Sequence, residues 1–275
     1  MDKAVILGIY GFLSFHACKV LLNRGFEVVG VHLDEMDHSL FIEEKRLEIG
    51  RNANFTELTL SEWEHRMDDE TSDATFIFSI YDFYRMNKDC VLQNEKFISS
   101  VNKYMETNHT DIVLLLPIQM LNHPVGLFPD QVKSWGRSSR FFYLPCIYGP
   151  WQSSDFMFQQ TILSKFIEVD IIKNQREWTG DALFVDDAIN TVLELLETEE
   201  PLHHFRSYIL ESGRKNYWTE CAAYLQVDLD KADTKDSIPF EIDSQIVKVP
   251  VKKLTPVADS IKKQLELVQR LYNHP

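Results

Sequence analysis

The chain has 275 residues, of which 44% are hydrophobic and 25% charged, as in a globular protein with an ample core. It carries 28 Lys and Arg against 42 Asp and Glu, a net charge of −14, so neither nucleic acid nor an anionic membrane is expected as a partner. No apolar run approaches the roughly 20 residues that span a bilayer, and the N-terminus enters a strand without a signal-peptide pattern. We therefore expect a cytoplasmic protein.

Residues 4–34 have the order of a βαβ unit that holds a dinucleotide. A short apolar run ends at Gly8, Gly11 follows three residues later, a helix-period segment comes next, and a second apolar run ends in Asp34. Gly8 allows a tight turn, and Gly11, which has no Cβ, lets the backbone approach a pyrophosphate at the helix N-terminus. The predicted cofactor contacts are the residues of this turn and the final acid: Gly8, Tyr10, Gly11, Phe12 and Asp34.

Acidic residues at the end of the second run favour NAD over NADP. Asp34 is placed to accept hydrogen bonds from ribose hydroxyls, and Glu35 and Asp37 would repel a 2′-phosphate. The third glycine position of the pattern holds Ser14, which is small enough for the helix to pack on the strand. An ordinary βαβ unit without a cofactor is the alternative, because a single glycine pattern is a weak signal.

Helix and strand patterns alternate through the next hundred residues. Helices are predicted around residues 40–51, from a capping box formed by Ser61 and Glu64, and over 87–108. Strands are predicted at 55–60, 74–80, 111–116 and 141–146. This alternation indicates an α/β protein with a doubly wound, Rossmann-like parallel sheet, and places ligands at the carboxyl ends of its strands.

Several reactive residues lie outside any motif. The cysteines Cys18, Cys90, Cys146 and Cys221 are far apart, which suits buried free thiols better than disulfides or zinc. The acids of residues 68–73 are typical of a solvated loop, so no metal site is predicted. His16 and His32 are expected to be structural, and His203 and His204 exposed. The aromatic residues Trp135, Tyr148 and Trp151 are expected either to line a pocket or to pack in the core.

Three ordered motifs resemble the extended short-chain dehydrogenase/reductases, specifically the NAD-dependent epimerase/dehydratase family that acts on nucleotide sugars. They are the opening unit, the Ile-Tyr-Gly-Pro-Trp segment at 147–151 and the Val-Asp-Asp helix segment at 183–196. Residues 208–213 and 254–272 resemble the strand and closing helix that follow in that family.

The resemblance implies both ligands and a domain division. It implies NAD and a nucleotide sugar or other small molecule as ligands, and a cofactor domain over residues 1–150 to which a helix at 184–197 returns. Residues 151–183 and 198–275 would form a smaller substrate-side lobe. Members often dimerise through the helices after the fourth and fifth strands. The second of these looks truncated here, so a homodimer or another protein partner stays open.

The family's catalytic pattern is not found at its usual place. The resemblance implies a Tyr-x-x-x-Lys pair after the fifth strand, whose tyrosine moves a proton while its lysine binds the ribose. Here no tyrosine occurs from 105 to 142, and Lys133 has Pro129 four residues before it. One Tyr-x-x-x-Lys spacing occurs after the fourth strand, at Tyr84 and Lys88, where chance spacing and a relocated pair are both open.

Two further positions depart from the family's pattern. Cys146 stands where asparagine is usual, and Gly180 stands where an arginine often grips the nucleotide diphosphate. The acids Asp181, Asp186 and Asp187 remain and are expected to be structural.

Two functional hypotheses follow. The first is a dinucleotide-binding, sensing or regulatory protein, a pseudoenzyme without the standard chemistry. The second is an active epimerase, dehydratase or reductase that uses Tyr84 with Lys88, or Lys133 with a hydroxyl from elsewhere.

Overall fold

Eight parallel strands form the main sheet of the protein. The computed structural model describes residues 2–33, 41–66, 74–107, 111–121, 132, 138–172, 174–198, 205–227 and 244–272. Its strands are β1 (Lys3–Leu7), β2 (Glu27–His32), β3 (Phe55–Thr59), β4 (Thr75–Ser79), β5 (Asp111–Pro117), β6 (Ser139–Leu144), β7 (Cys146–Tyr148), β8 (Ala182–Phe184), β9 (Phe205–Glu211) and β10 (Val247–Pro250). The main sheet has the order β10-β9-β6-β5-β4-β1-β2-β3, and β7 pairs separately with β8. The predicted Rossmann-like fold is confirmed.

Helices cover both faces of this sheet. They are α1 (Phe12–Asn23), α2 (Ile42–Ile49), α3 (Leu60–Arg66), α4 (Ile80–Arg85), α5 (Glu95–Thr107), α6 (Met157–Leu163), α7 (Val185–Thr198), α8 (Tyr217–Leu225) and α9 (Val257–Tyr272). Alternate residues of β1 enter different cores, with Ala4 and Ile6 on one face and Val5 and Leu7 on the other. A strand buried on both faces reads as a continuous apolar run, which is why the sequence shows no alternation there.

The switch point of the sheet lies between β1 and β4. β1 pairs with β2 on one side and β4 on the other, so the chain order reverses there. In open α/β sheets, ligands bind outside the carboxyl ends of the strands at such a point. The ends of these two strands, followed by α1 and α4, therefore define where a site is expected.

The capping box predicted at Ser61 and Glu64 is wrong by two residues. α3 begins at Leu60, and Thr59 Oγ1 accepts the N–H of Glu62 at 3.2 Å. The carboxylate of Glu62 in turn accepts the N–H of Thr59 at 2.8 Å. The same Ser/Thr-x-x-Glu spacing thus occurs twice, and the copy that directly ends β3 caps the helix.

The helix predicted over residues 87–108 begins later. Asn87 has a φ of 54°, which interrupts the helical conformation after α4. A 3₁₀ turn then covers Asp89–Gln93. Asn94 then caps α5, because its Oδ1 accepts the N–H groups of Lys96 at 3.0 Å and Phe97 at 3.2 Å.

The sixth strand ends before the motif that follows it. Pro145 lies between β6 and β7 and has no N–H for a sheet ladder, and β7 leaves the main sheet to pair with β8. In addition, β9 and β10 extend the main sheet beyond β6, so the sheet itself continues past residue 150. The division into a cofactor domain and a substrate-side lobe remains a prediction.

Within the described ranges, no helix is both long and apolar enough to cross a membrane. The same residues contain no group of three or more His, Cys, Asp or Glu side chains that could hold a metal ion. Cys18, Cys146 and Cys221 are buried free thiols as expected, whereas Cys90 is exposed, so the prediction of burial is wrong for that residue.

Candidate functional site

The glycine turn after β1 has the local geometry that the sequence predicts. Gly8 has a φ of +64°, in the left-handed region that favours glycine. The N–H of Gly11 donates to the carbonyl of Gly8 at 2.8 Å, which closes the turn directly before α1. The N-terminus of α1 therefore points towards the carboxyl edge of the sheet at the switch point.

A carboxylate from α4 lies on that N-terminus. Asp82 is buried, and its Oδ2 accepts the backbone N–H of Leu13 at 3.0 Å and that of Ser14 at 3.4 Å. These N–H groups belong to the first turn of α1, where the helix dipole and unpaired donors favour an anion. Burial raises the pKa of Asp82 to about 6, although the Leu13 N–H, the Ser79 hydroxyl and the Ser14 N–H oppose this rise.

Gly11 is required by the same contact. A Cβ at this position would lie 2.7 Å from Asp82 Oδ2 and 3.0 Å from the Gly8 carbonyl oxygen. The space that the sequence reserves for a cofactor pyrophosphate beside Gly11 is thus partly filled by the protein's own carboxylate.

A cavity of about 320 Å³ opens beside this turn, and we call it the switch-point cavity. Its volume lies at the small end of the range for ligand sites. Its walls come from the N-terminus of α1, from α4, from residues 151–163 and from α9. The aromatic residues that line it are Tyr10, Phe12, Phe41, Trp151, Phe156 and Tyr272, and the charged residues are Lys45, Asp82, Arg85, Lys88 and Asp155.

Five of the aromatic residues that line the cavity pack in two groups, which we call the aromatic wall. The Phe41 ring lies 5.5 Å from that of Tyr272 and 6.4 Å from that of Trp151, and Phe12 lies 6.2 Å from Phe156. Offset and edge-to-face packing of this kind holds rings in place and presents apolar surface to a planar ligand. Trp151 thus lines a pocket, while Tyr148 is buried in the core.

Tyr10 and Lys45 fix the side of the cavity next to the turn. The buried Lys45 Nζ donates to the carbonyl of Tyr10 at 2.6 Å. The guanidinium of Arg46 lies 5.3 Å from the centre of the Tyr10 ring. Burial, and next the neighbouring Glu57, raise the pKa of the Tyr10 hydroxyl well above its ordinary value, so Tyr10 stays a neutral phenol.

The buried Arg85 lines the cavity from the end of α4. Its guanidinium lies 4.2 Å from the centre of the Phe156 ring, and its Nη2 lies 3.4 Å from Glu177 Oε2. Nε and Nη2 have no hydrogen-bond acceptor in the described part of the chain. A buried guanidinium with unused donors is unusual, because such groups are normally hydrogen-bonded.

The space beyond Arg85, at the ends of β5 and β6, is closed. It leaves no room for a water molecule, and its walls come from Tyr81, Arg85, Gln119, Pro145, Cys146, Arg176, Glu177 and Trp178. The Tyr81 hydroxyl accepts the N–H of Ile147 at 2.9 Å, and the Cys146 thiol donates to Glu177 at 3.4 Å. Burial raises the pKa values of both Tyr81 and Cys146 well above their ordinary range, which keeps phenol and thiol neutral.

The spaced pair Tyr84 and Lys88 does not share a helix. α4 ends at Arg85, and Asn87, with a left-handed φ of 54°, lies between the end of this helix and Lys88. Lys88 lines the switch-point cavity, whereas Tyr84 is not among its described lining residues and packs under the guanidinium of Arg176, 4.6 Å from the ring centre. The role of Tyr84 and Lys88 as a relocated catalytic pair stays a prediction.

The retained acids make structural contacts. Asp181 Oδ2 accepts the N–H of Ser212 at 2.7 Å, and both Asp187 oxygens are hydrogen-bonded to Thr255, each at 2.7 Å. Asp186 Oδ1 lies 2.9 Å from His16 Nδ1, and His16 Nε2 lies 2.8 Å from the carbonyl of Pro150. His16 is thus a structural histidine that links α1 to α7, as expected.

Gly180 leaves no space for the arginine that the family pattern has there. A Cβ on this residue would lie 2.2 Å from the Trp178 ring. His32, the second histidine expected to be structural, packs edge-on against Tyr10 with ring centres 5.6 Å apart.

Several predicted residues lie outside the described ranges. They are Asp34 with Glu35 and Asp37, the acids of residues 68–73, Pro129, Lys133, Trp135, His203 and His204.

Known structures share this architecture over almost the whole chain. UDP-glucuronic acid 4-epimerase from Bacillus cereus, in complex with UDP-glucuronic acid and NAD, superposes with a TM-score of 0.69 at 14% identity, covering 98% of this chain and 100% of that one. The chain has the epimerase/dehydratase fold. The Bordetella bronchiseptica enzyme WbmH in complex with NAD⁺ gives a TM-score of 0.63 at 17% identity, with 100% of both chains covered. For dTDP-glucose 4,6-dehydratase from Bacillus anthracis in complex with NAD, the TM-score is 0.59 at 12% identity, with 98% and 96% covered.

The sequence matches no protein-family model and no curated protein. The epimerase/dehydratase fold is therefore visible in the tertiary structure and in the spacing of a few motifs.

Within the epimerase/dehydratase fold, three residues of the cavity were not predicted from the sequence: Asp82, Arg85 and Lys45. A usable signal existed for the first two, since both follow the end of β4 at the switch point, where ligand contacts are expected. Lys45 lies on α2 and reaches the site only through packing.

Proposed function

We propose that the protein binds NAD, or a nucleotide of the same class, in the switch-point cavity and does not carry out the standard hydride transfer. The observation that carries this proposal is the cavity itself, where Gly11 and Phe12 of the turn meet an aromatic wall and the basic side chains of Arg85 and Lys88. The aromatic rings can stack on a base or a nicotinamide ring, and the cationic side chains can donate charge-assisted hydrogen bonds to a phosphate.

The described residues fit a nucleotide, but not in the mode that the glycine turn alone suggests. The first turn of α1 already holds the Asp82 carboxylate, so a pyrophosphate cannot use the Leu13 N–H unless Asp82 moves. Phe41, Trp151 and Tyr272 would hold the planar part of the ligand. NAD, when bound, would supply a hydride acceptor, and the preference for NAD over NADP rests on the acids at 34–37 of the sequence.

Two features favour binding without the usual chemistry. Among the described residues, Tyr81, Glu177 and Trp178 line a space at the ends of β5 and β6 that has no room for a water molecule and therefore none for a sugar. Tyr84 packs outside the described wall of the cavity. We therefore favour a nucleotide without a sugar as the ligand of this cavity over a nucleotide sugar, the kind of ligand named for a structurally similar enzyme.

Calorimetry with NAD, NADH and NADP tests the proposal. We expect NAD or NADH to bind, with NADP weaker, and Tyr272→Ala to lower the affinity about tenfold through the lost stacking. Tyr224→Ala removes an exposed tyrosine away from the described cavity wall and is the matched control. No binding by wild type at millimolar concentration would overturn the proposed ligand.

Turnover separates the two functional hypotheses. Wild-type protein is incubated with NAD and a panel of nucleotide sugars, and the formation of NADH or of converted sugar is measured. Turnover that Tyr84→Phe abolishes would establish the active-enzyme hypothesis. We expect no turnover above that of a buffer blank.

A further inference from the structure

Arg85 is a buried cation with unused donors at the edge of a cavity. It is 2% exposed, and its Nε and Nη2 have no hydrogen-bond acceptor among the described residues. Leaving a buried charged donor unsatisfied costs free energy, so such a group calls for an explanation, and a bound anion is one that the adjoining cavity allows.

The neighbouring carboxylates leave the Arg85 guanidinium able to bind an anion. Glu177 lies 3.4 Å from Nη2, but its two oxygens also accept from the Met157 N–H at 3.0 Å and from the Cys146 thiol at 3.4 Å. The carboxylate of Asp82 is directed to the N-terminus of α1. Glu177 therefore offsets part of the Arg85 charge without using its Nε or Nη2 as hydrogen-bond donors.

The guanidinium is held in one orientation. It lies 4.2 Å from the centre of the Phe156 ring, and Phe156 itself packs against Tyr81 with ring centres 6.3 Å apart. A planar guanidinium fixed in this way loses little conformational entropy when it binds phosphate in a two-point manner.

The usual phosphate position of the fold is already taken. Asp82 Oδ2 accepts the N–H groups of Leu13 and Ser14, and it lies 2.7 Å from the position that a Cβ on Gly11 would have. An incoming phosphate is repelled there while Asp82 is ionised, and is attracted on the Arg85 side of the same cavity.

We infer that Arg85 is the phosphate-binding residue of the switch-point cavity, in place of the N-terminus of α1. This inference rests on the proposed function and adds the part of the ligand that is recognised: a nucleoside phosphate whose base lies on the aromatic wall and whose phosphate reaches Arg85, with Lys88 on the same wall.

Adenosine, AMP and inorganic pyrophosphate are the probes that test it by calorimetry. Arg85→Gln is expected to lower the affinity for AMP and for pyrophosphate at least tenfold and to leave adenosine binding unchanged. Arg85→Lys should retain an intermediate affinity for AMP, since it keeps the charge and loses the two-point geometry. If the role of Arg85 were purely structural, Arg85→Gln would lower the affinities for all three ligands together.

Arg176→Gln is the matched control. Arg176 is not among the described residues that line the switch-point cavity, and it lines the small space beyond Arg85 instead. If Arg85→Gln does not fold, Arg85→Met with Glu177→Gln removes both members of the ion pair and leaves no uncompensated buried charge. The folded state of each variant is checked by thermal unfolding.

The outcomes separate this inference from the proposed function. Pyrophosphate binding that depends on Arg85, without any nucleotide binding, supports Arg85 as the phosphate-binding residue and overturns the proposed function together with the nucleoside part of the ligand. Nucleotide binding that Arg85→Gln leaves unchanged does the reverse. Wild-type protein that binds neither pyrophosphate nor a nucleotide overturns both.

Discussion

Oδ2 of Asp82 lies 3.0 Å from the backbone nitrogen of Leu13, so an acid from the start of α4 holds the N-terminus of α1. The two elements follow β4 and β1, the strands that meet at the switch point. This contact places an internal anion where the fold ordinarily presents donors to a ligand, and it determines several properties that can be measured.

Stability should depend on pH through Asp82. Burial raises the pKa of this carboxyl from 3.8 to about 6, so the folded state binds the proton more tightly than the unfolded state. The free energy of unfolding should therefore fall by on the order of 2 kcal/mol as pH rises from about 4 to about 6, and then stay level. Burial also raises the pKa values of Asp181 and Asp187, so urea unfolding across this range should show a steeper slope in wild type than in Asp82→Asn.

Asp155→Asn is the control for that experiment, since Asp155 is an exposed acid of the same cavity. It should keep the wild-type slope. An undiminished slope in Asp82→Asn would assign the titration to other groups.

Neutralising Asp82 should also strengthen phosphate binding. Asp82→Asn removes a negative charge from the wall of the switch-point cavity, and we expect the affinity for AMP to rise several-fold while that for adenosine is unchanged. Calorimetry above about pH 7 gives the comparison, because wild-type Asp82 is then ionised. Equal AMP affinity in both proteins would contradict the electrostatic role given to Asp82.

His16 should stabilise the protein by linking three segments. Its ring nitrogens lie 2.9 Å from Asp186 Oδ1 and 2.8 Å from the Pro150 carbonyl oxygen. His16→Ala removes both bonds and leaves a buried gap, so we expect a loss of about 2–3 kcal/mol in the free energy of unfolding. The exposed His65 provides a control, and His65→Ala should change stability by less than about 0.5 kcal/mol.

Placing an arginine at position 180, where the family pattern often has one, should destabilise the fold. Every side chain at this position brings a Cβ to within 2.2 Å of the Trp178 ring, so Gly180→Arg and Gly180→Ala should both lose about 1–3 kcal/mol. Thermal and urea unfolding measure this. A stable Gly180→Arg variant would show that Trp178 moves readily.

The cap of α3 distinguishes the observed capping box from the predicted one. Thr59→Ala removes the acceptor for the Glu62 N–H and should cost about 1 kcal/mol. Ser61→Ala, at the position that the sequence favoured, should be nearly neutral. The reverse ranking in urea unfolding would restore the sequence prediction.

Local chemistry was enough to predict the parts of the site that lie on a single element. The turn at Gly8 and Gly11 follows from backbone freedom, and the parallel strands follow from continuous apolar runs such as 75–79. The ends of helices were harder to predict where the same capping pattern occurs twice, as at Thr59 and Ser61, or where a residue such as Asn87 takes a left-handed conformation.

The sequence by itself determined the βαβ opening and the doubly wound sheet, because these depend on periodicity and short-range spacing. Only the tertiary structure decided that Asp82 lies on α1, 69 residues away from Leu13 in the chain, and that Arg85 faces a cavity with unused donors. Burial and charge pairing depend on which distant segments meet. No spacing along the chain carries that information.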